Sequence, residues 1–159
     1  MEARIFLGET CSPIRWDGSI PPGAVESLKD QSPGRKAAGM SNGKKLEEMS
    51  SRRKRAHATL VALKSKVYAG FLAMEAAAYS DGALPKKQKE LIAVGISVVK
   101  DCDSCMQWHI EQAAKAGASF EELLEAIEVG IEMGGGPATV SARFALEVME
   151  SLGLKPASE

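Results

Sequence analysis

From Asn42 to about Ser80, apolar residues recur at three- and four-residue steps: Leu46, Met49, Ala56, Leu60, Leu63, Val67, Phe71, Met74 and Ala78. A helix advances about 100° per residue, so this spacing lines one helical face, not alternate faces of a strand. Arg53 interrupts the stripe, and the length of the run predicts a break or kink inside it. Ser80-Asp81-Gly82 then supplies turn chemistry, and Pro85 suits the first turn of the next helix, where a missing N–H leaves no bond unmade. Leu91–Val99 is apolar almost throughout, a pattern shared by buried strands and buried helices. The preceding Lys86-Lys87-Gln88-Lys89-Glu90 are good helix formers and extend the segment to helical length, so helix is the expectation.

Beyond it, a helix is expected to start at Asp101 or Cys102 and to run to about Ala116, with Gly117 as its stop. Ser119-Phe120-Glu121-Glu122 reads as a capping box that opens a helix carrying Leu123, Ile127, Val129 and Ile131. Gly134-Gly135-Gly136-Pro137 is expected to end that helix in a tight interhelical turn. A last helix then runs from Pro137 to about Leu152, with Val140, Phe144, Val148 and Leu152 on one face. The glycines are not a phosphate cradle, because no Lys-Ser/Thr follows them and no strand pattern precedes them. The pattern predicts an all-α fold, a compact bundle of about five to six helices over residues 41–155. Residues 1–40 hold four of the seven prolines and no sustained apolar period, the composition of a disordered tail. Met40 at the boundary is a candidate translation start, Cys11 and Trp16 carry no assigned role, and residues 156–159 form a short C-terminal tail.

The chain has 159 residues, enough for one domain with a core. A formal net charge of −1 predicts no nucleic-acid and no membrane partner. The basic runs Lys44-Lys45 and Arg52-Arg53-Lys54-Arg55 are accompanied by Glu47 and Glu48 and read as a solvated helix face. The apolar run Leu91–Val99 is too short to cross a bilayer, and no basic segment leads into a long apolar core at the N-terminus, so a cytoplasmic location is expected. Three cysteines make an odd count for a disulfide framework. Two of them share one Cys-x-x-Cys, which points to metal or redox chemistry in place of a structural bridge.

That motif opens the stretch Cys102-Asp103-Ser104-Cys105-Met106-Gln107-Trp108-His109. On a helix Cys102, Cys105 and His109 project from one face. A thiol at a helix N-terminus is acidified by the unsatisfied N–H groups there, and spacing alone nominates Cys102 as the attacking sulfur. His109, one turn beyond Cys105, can accept or return a proton. Two other readings use the same residues: a buried apolar cysteine pair, and a zinc site in which Glu90 is the fourth ligand. No second Cys-x-x-Cys supports the metal, and no strand–helix–strand pattern supports a thioredoxin fold, so no metal and no cofactor is expected. Trp108 reads as a packing or interface residue and His57 as a surface residue.

The spacing Glu90-x11-Cys102-x-x-Cys105-x3-His109 resembles the signature of alkyl hydroperoxidase D, a branch of the carboxymuconolactone decarboxylase family. The flanking segments Ala113–Ala126 and Met133–Pro137 are similar to those of short family members, and the resemblance covers roughly Leu60 to Met149. It implies a thiol-dependent hydroperoxidase or disulfide reductase. Cys105 attacks the hydroperoxide, Cys102 condenses with the resulting sulfenate, and His109 with Glu90 relays protons. A dithiol or a reductase partner then restores the thiols. Ser104 departs from the pattern, because alkyl hydroperoxidase D carries a histidine immediately before its second cysteine, and weaker thiol activation is the consequence. Two alternatives remain: the family's lyase activity, which does not need two cysteines, and a non-enzymatic redox-sensing oligomer. The generous apolar positions predict a closed homo-oligomer with the site near a subunit boundary, and the resemblance implies a homo-trimer or homo-hexamer.

Overall fold

Among residues 42–157, which the computed structural model describes, five helices follow one another: α1 (Asn42–Ala62), α2 (Lys66–Ala78), α3 (Lys86–Val99), α4 (Asp103–Lys115) and α5 (Phe120–Ser151). The fold is all-α, as the periodicity predicts. The tail expected over residues 1–40, with Cys11 and Trp16, lies outside the described residues.

Each helix end has a local cause. Lys64 takes a left-handed φ of 53°, and the Ser65 hydroxyl accepts the Tyr68 N–H at 3.2 Å to start α2. The expected break therefore falls after Leu63 and not at Arg53. Across the next turn the Asp81 carboxylate accepts the Lys86 N–H at 2.8 Å, supplying the cap that Pro85 cannot make with a side chain. The ambiguous run Leu91–Val99 is helical, with Glu90, Ala93, Val94, Ser97 and Val98 buried at helical spacing and Ile92, Ile96 and Val99 exposed. The capping box at Ser119 is complete, with Ser119 and Glu122 exchanging bonds of 2.9 and 3.2 Å.

The core is built where α3 packs on α4 and α5, around Val94, Val98, Met106, Ile110, Leu123, Ile127, Val148 and Met149. Gly95 and Gly130 let the α3 and α5 backbones meet: a Cβ on Gly130 would lie 2.7 Å from the Gly95 carbonyl oxygen. Lys87 on α3 adds an ion pair to Glu122 on α5 at 2.6 Å. No described helix is long and apolar enough to cross a membrane.

The glycine run breaks the helix, as expected: Gly135 leaves helical geometry (φ 63°, ψ −151°), and α5 is two helical halves joined at that kink, the second beginning at Pro137, where no N–H is needed. Two other expectations need correction. On that second half Phe144 and Val148 are buried, but Val140 and Leu152 are exposed, because Ala138, Ser141, Ala145 and Met149 share the inward face instead. The long stripe is mostly uncovered: Leu46 is buried, whereas α2 buries no residue and Val67 and Met74 stay 86% and 62% exposed. The periodicity correctly marks a helix there, but within one copy of the described residues that face has nothing to pack against.

Candidate redox site

The site is assembled at the α3–α4 connection. Asp101 takes a left-handed φ of 51°, a conformation that Asp tolerates better than most side chains, and so reverses the chain within Lys100-Asp101-Cys102. Its carboxylate accepts the Ser141 hydroxyl at 2.6 Å, which ties the turn to α5. The Cys102 N–H donates to the Ser97 carbonyl at 3.2 Å. These bonds leave Cys102 as the N-cap of α4, where its Sγ accepts the Cys105 N–H at 3.3 Å. Cys102 and Cys105 are joined as a disulfide, their Cα atoms 5.2 Å apart.

One turn further along α4, His109 Nδ1 donates to Glu90 Oε2 at 2.8 Å. The carboxylate is an acceptor, so the bond places the ring proton on Nδ1 and leaves the Nε2 lone pair free to take another. Both side chains are shielded, with 3% of Glu90 and 17% of His109 exposed. A carboxylate buried this deeply costs stability unless it is paired, and His109 is its partner. The four residues nominated from the sequence therefore form two pairs: the disulfide at the start of α4, and a carboxylate–imidazole pair between α3 and α4. Among the described residues no group of three or more His, Cys, Asp and Glu side chains forms a metal-binding set.

Other side chains surround these pairs without having announced themselves in the sequence. The Tyr79 ring, at the end of α2, lies 5.4 Å from the His109 ring with the planes 30° apart. Burial, then the nearby Glu90 and Glu75 carboxylates, push the Tyr79 phenol up from its ordinary range, so it is neutral at physiological pH. Trp108 donates its indole N–H to Glu75 at 3.2 Å and lies under the Arg53 guanidinium at 4.7 Å. Arg53 also pairs with Glu111 at 3.2 Å, so the residue that interrupts the apolar stripe docks α1 on α4 and is not part of a solvated basic face. Leu72, Glu75, Tyr79, Glu90 and Trp108 line a cleft of about 230 Å³ beside the relay. His57 is exposed and meets the Tyr68 hydroxyl at 2.8 Å.

An all-helical domain with a disulfide capping one helix and a shielded Glu–His pair beside it defines a class of protein, and comparison with known chains identifies its family. The model of the carboxymuconolactone decarboxylase family matches residues 65–148, and the chain belongs to that family. It is 46% identical over 76 residues to an uncharacterized protein of Cupriavidus necator, covering 48% of this chain and 67% of that one. Among solved structures it resembles a carboxymuconolactone decarboxylase family protein from Legionella pneumophila, with a TM-score of 0.64 and 37% identity over 67% of this chain and 95% of that one. It also resembles a family member from Thermotoga maritima described as of possible involvement in an antioxidative response. There the TM-score is 0.62 and the identity 28%, over 67% of this chain and 90% of the other.

Proposed function

We propose that the protein belongs to the alkyl hydroperoxidase D-like branch of its family and is a thiol-dependent hydroperoxidase or disulfide reductase. The observation that carries this reading is the buried Glu90–His109 pair, one helical turn from a cysteine pair close enough to be bonded. Cys105, as thiolate, attacks the terminal oxygen of an organic hydroperoxide; the O–O bond breaks, the alcohol leaves, and Cys105 becomes a sulfenic acid. The Cys102 thiol then attacks that sulfur, releasing water and forming the disulfide. His109 Nε2 receives the thiol proton and returns it to the departing oxygen, while Glu90 holds the tautomer and balances the charge on the ring. A dithiol donor, free or carried by a reductase, reopens the bridge. Cys102 is the better leaving thiolate in that exchange, because it sits on the N–H groups of α4. The chemistry is carried by the cysteines and needs no cofactor.

The lyase activity that gives the family its name has no use for two cysteines, and the dithiol argues for redox work here. The uncovered apolar residues of α1 and α2 support a homo-trimer or homo-hexamer in which a neighbour covers the site. Reduced protein is expected to consume an organic hydroperoxide in the presence of a dithiol, with one disulfide formed per hydroperoxide. Absence of turnover with organic hydroperoxides, together with a disulfide that dithiols cannot reduce, refutes the reading.

A further inference from the structure

The Glu90 bond fixes where His109 Nδ1 points, but one hydrogen bond does not fix the plane of a ring that can still turn about its side-chain torsions. A second contact, on the ring's face, removes that freedom. Tyr79 supplies such a contact. It ends α2, its backbone N–H donates to the Glu75 carbonyl at 3.1 Å, and its ring lies tilted on His109 at a centroid separation of 5.4 Å. The same ring lines the cleft that Glu90 and Trp108 also line.

We propose that Tyr79 is a positioning residue for the relay: its ring packs on the His109 imidazole and keeps Nδ1–H on Glu90, so that Nε2 remains the proton acceptor. The consequence for turnover rests on the hydroperoxidase or reductase reading, whereas the effect on the imidazole does not. The phenol hydroxyl is not required, because it stays neutral and no protein partner for it is found among the described residues. The charged groups that share the cleft with Tyr79 are Glu90 and Lys86 on α3 and Glu75 on α2, the last engaged by the Trp108 indole. Of these, Glu90 bonds to the imidazole directly.

The test is the imidazole tautomer of the ¹⁵N-labelled full chain at pH about 8.5, above the ordinary histidine range. The chain has two histidines, and a His57→Gln background leaves His109 as the single signal. Wild type and Tyr79→Phe are expected to show the Nδ1–H form. Tyr79→Leu, which keeps apolar cover but removes the flat ring, is expected to shift toward the Nε2–H form that free imidazole favours. Tyr79→Met is a second non-aromatic variant should the leucine protein fail to fold. With an organic hydroperoxide and a dithiol, kcat is expected to fall about two- to tenfold in the non-aromatic variants with KM unchanged, and Tyr79→Phe to remain at wild type. An unchanged tautomer in both non-aromatic variants, or a phenylalanine variant that behaves as they do, overturns the proposal. A tautomer shift in a protein without hydroperoxide turnover upholds the positioning and removes the hydroperoxidase reading instead.

Discussion

Replacing Gly130 with alanine tests how closely α3, the helix that carries Glu90, approaches α5. The new Cβ would lie 2.7 Å from the Gly95 carbonyl oxygen and 3.0 Å from Val98 Cβ. Neither is the free end of a flexible side chain, so the helices must separate by several tenths of an ångström. Overpacking of this kind costs about 1–3 kcal/mol. Alanine recovers about 1 kcal/mol as the better helix former. A clash with backbone belongs at the upper end of the range, which leaves a net loss of about 1–2 kcal/mol. For a domain of this size that lowers the urea midpoint by about 1 M. Far-ultraviolet circular dichroism during urea titration, at a fixed protein concentration because assembly also shifts the midpoint, provides the assay. A midpoint that stays or rises refutes the reasoning: it would mean that the crossing has room for a methyl group and that only helix propensity responds.

Other consequences are simpler to read. Ser119→Ala removes the side-chain half of the capping box that starts α5 and is expected to lower stability by about 1 kcal/mol in the same titration, with little change in peroxide turnover. His109→Gln is expected to slow hydroperoxide turnover by about 10²- to 10⁴-fold while leaving the Cys102–Cys105 bridge able to form with a small disulfide oxidant, which thiol counting checks. Phe71→Asp places a charge on the uncovered face of α2 and is expected to shift the protein to a smaller assembly by multi-angle light scattering, with no loss of helical signal; an unchanged mass argues that α2 is not a subunit contact.

The helices were legible because their signals are local. The capping box at Ser119, the stop at Gly117 and the spacing of Val94 and Val98 each act within a few residues of chain. Cys102, Cys105 and His109 were legible for a related reason, since they lie at the cap and along one face of a single helix, whereas Glu90, on the helix before, was picked out only by the resemblance to the family signature. What periodicity could not distinguish is a buried core face from an exposed apolar one. Val67 and Val94 are the same residue in equally helical patterns, yet one is 86% exposed and the other fully buried. The break at Gly135 was legible as well, because a φ of 63° suits a residue without a side chain. Arg53, Tyr79 and Asp101 were silent because their roles depend on contacts between helices. Asp101 offered the one usable hint, a residue tolerant of left-handed backbone placed directly before the first cysteine.

The central claim, that Cys105 reduces a hydroperoxide and Cys102 resolves the product, is tested most directly by the intact mass of the reduced Cys102→Ser protein after one equivalent of cumene hydroperoxide and a sulfenate-trapping dione. The account predicts a single trapped sulfenate, located at Cys105 by peptide mapping, with turnover abolished. A Cys102→Ser protein that turns over like the wild type, or a trapped sulfenate on Cys102 in the Cys105→Ser protein, contradicts it.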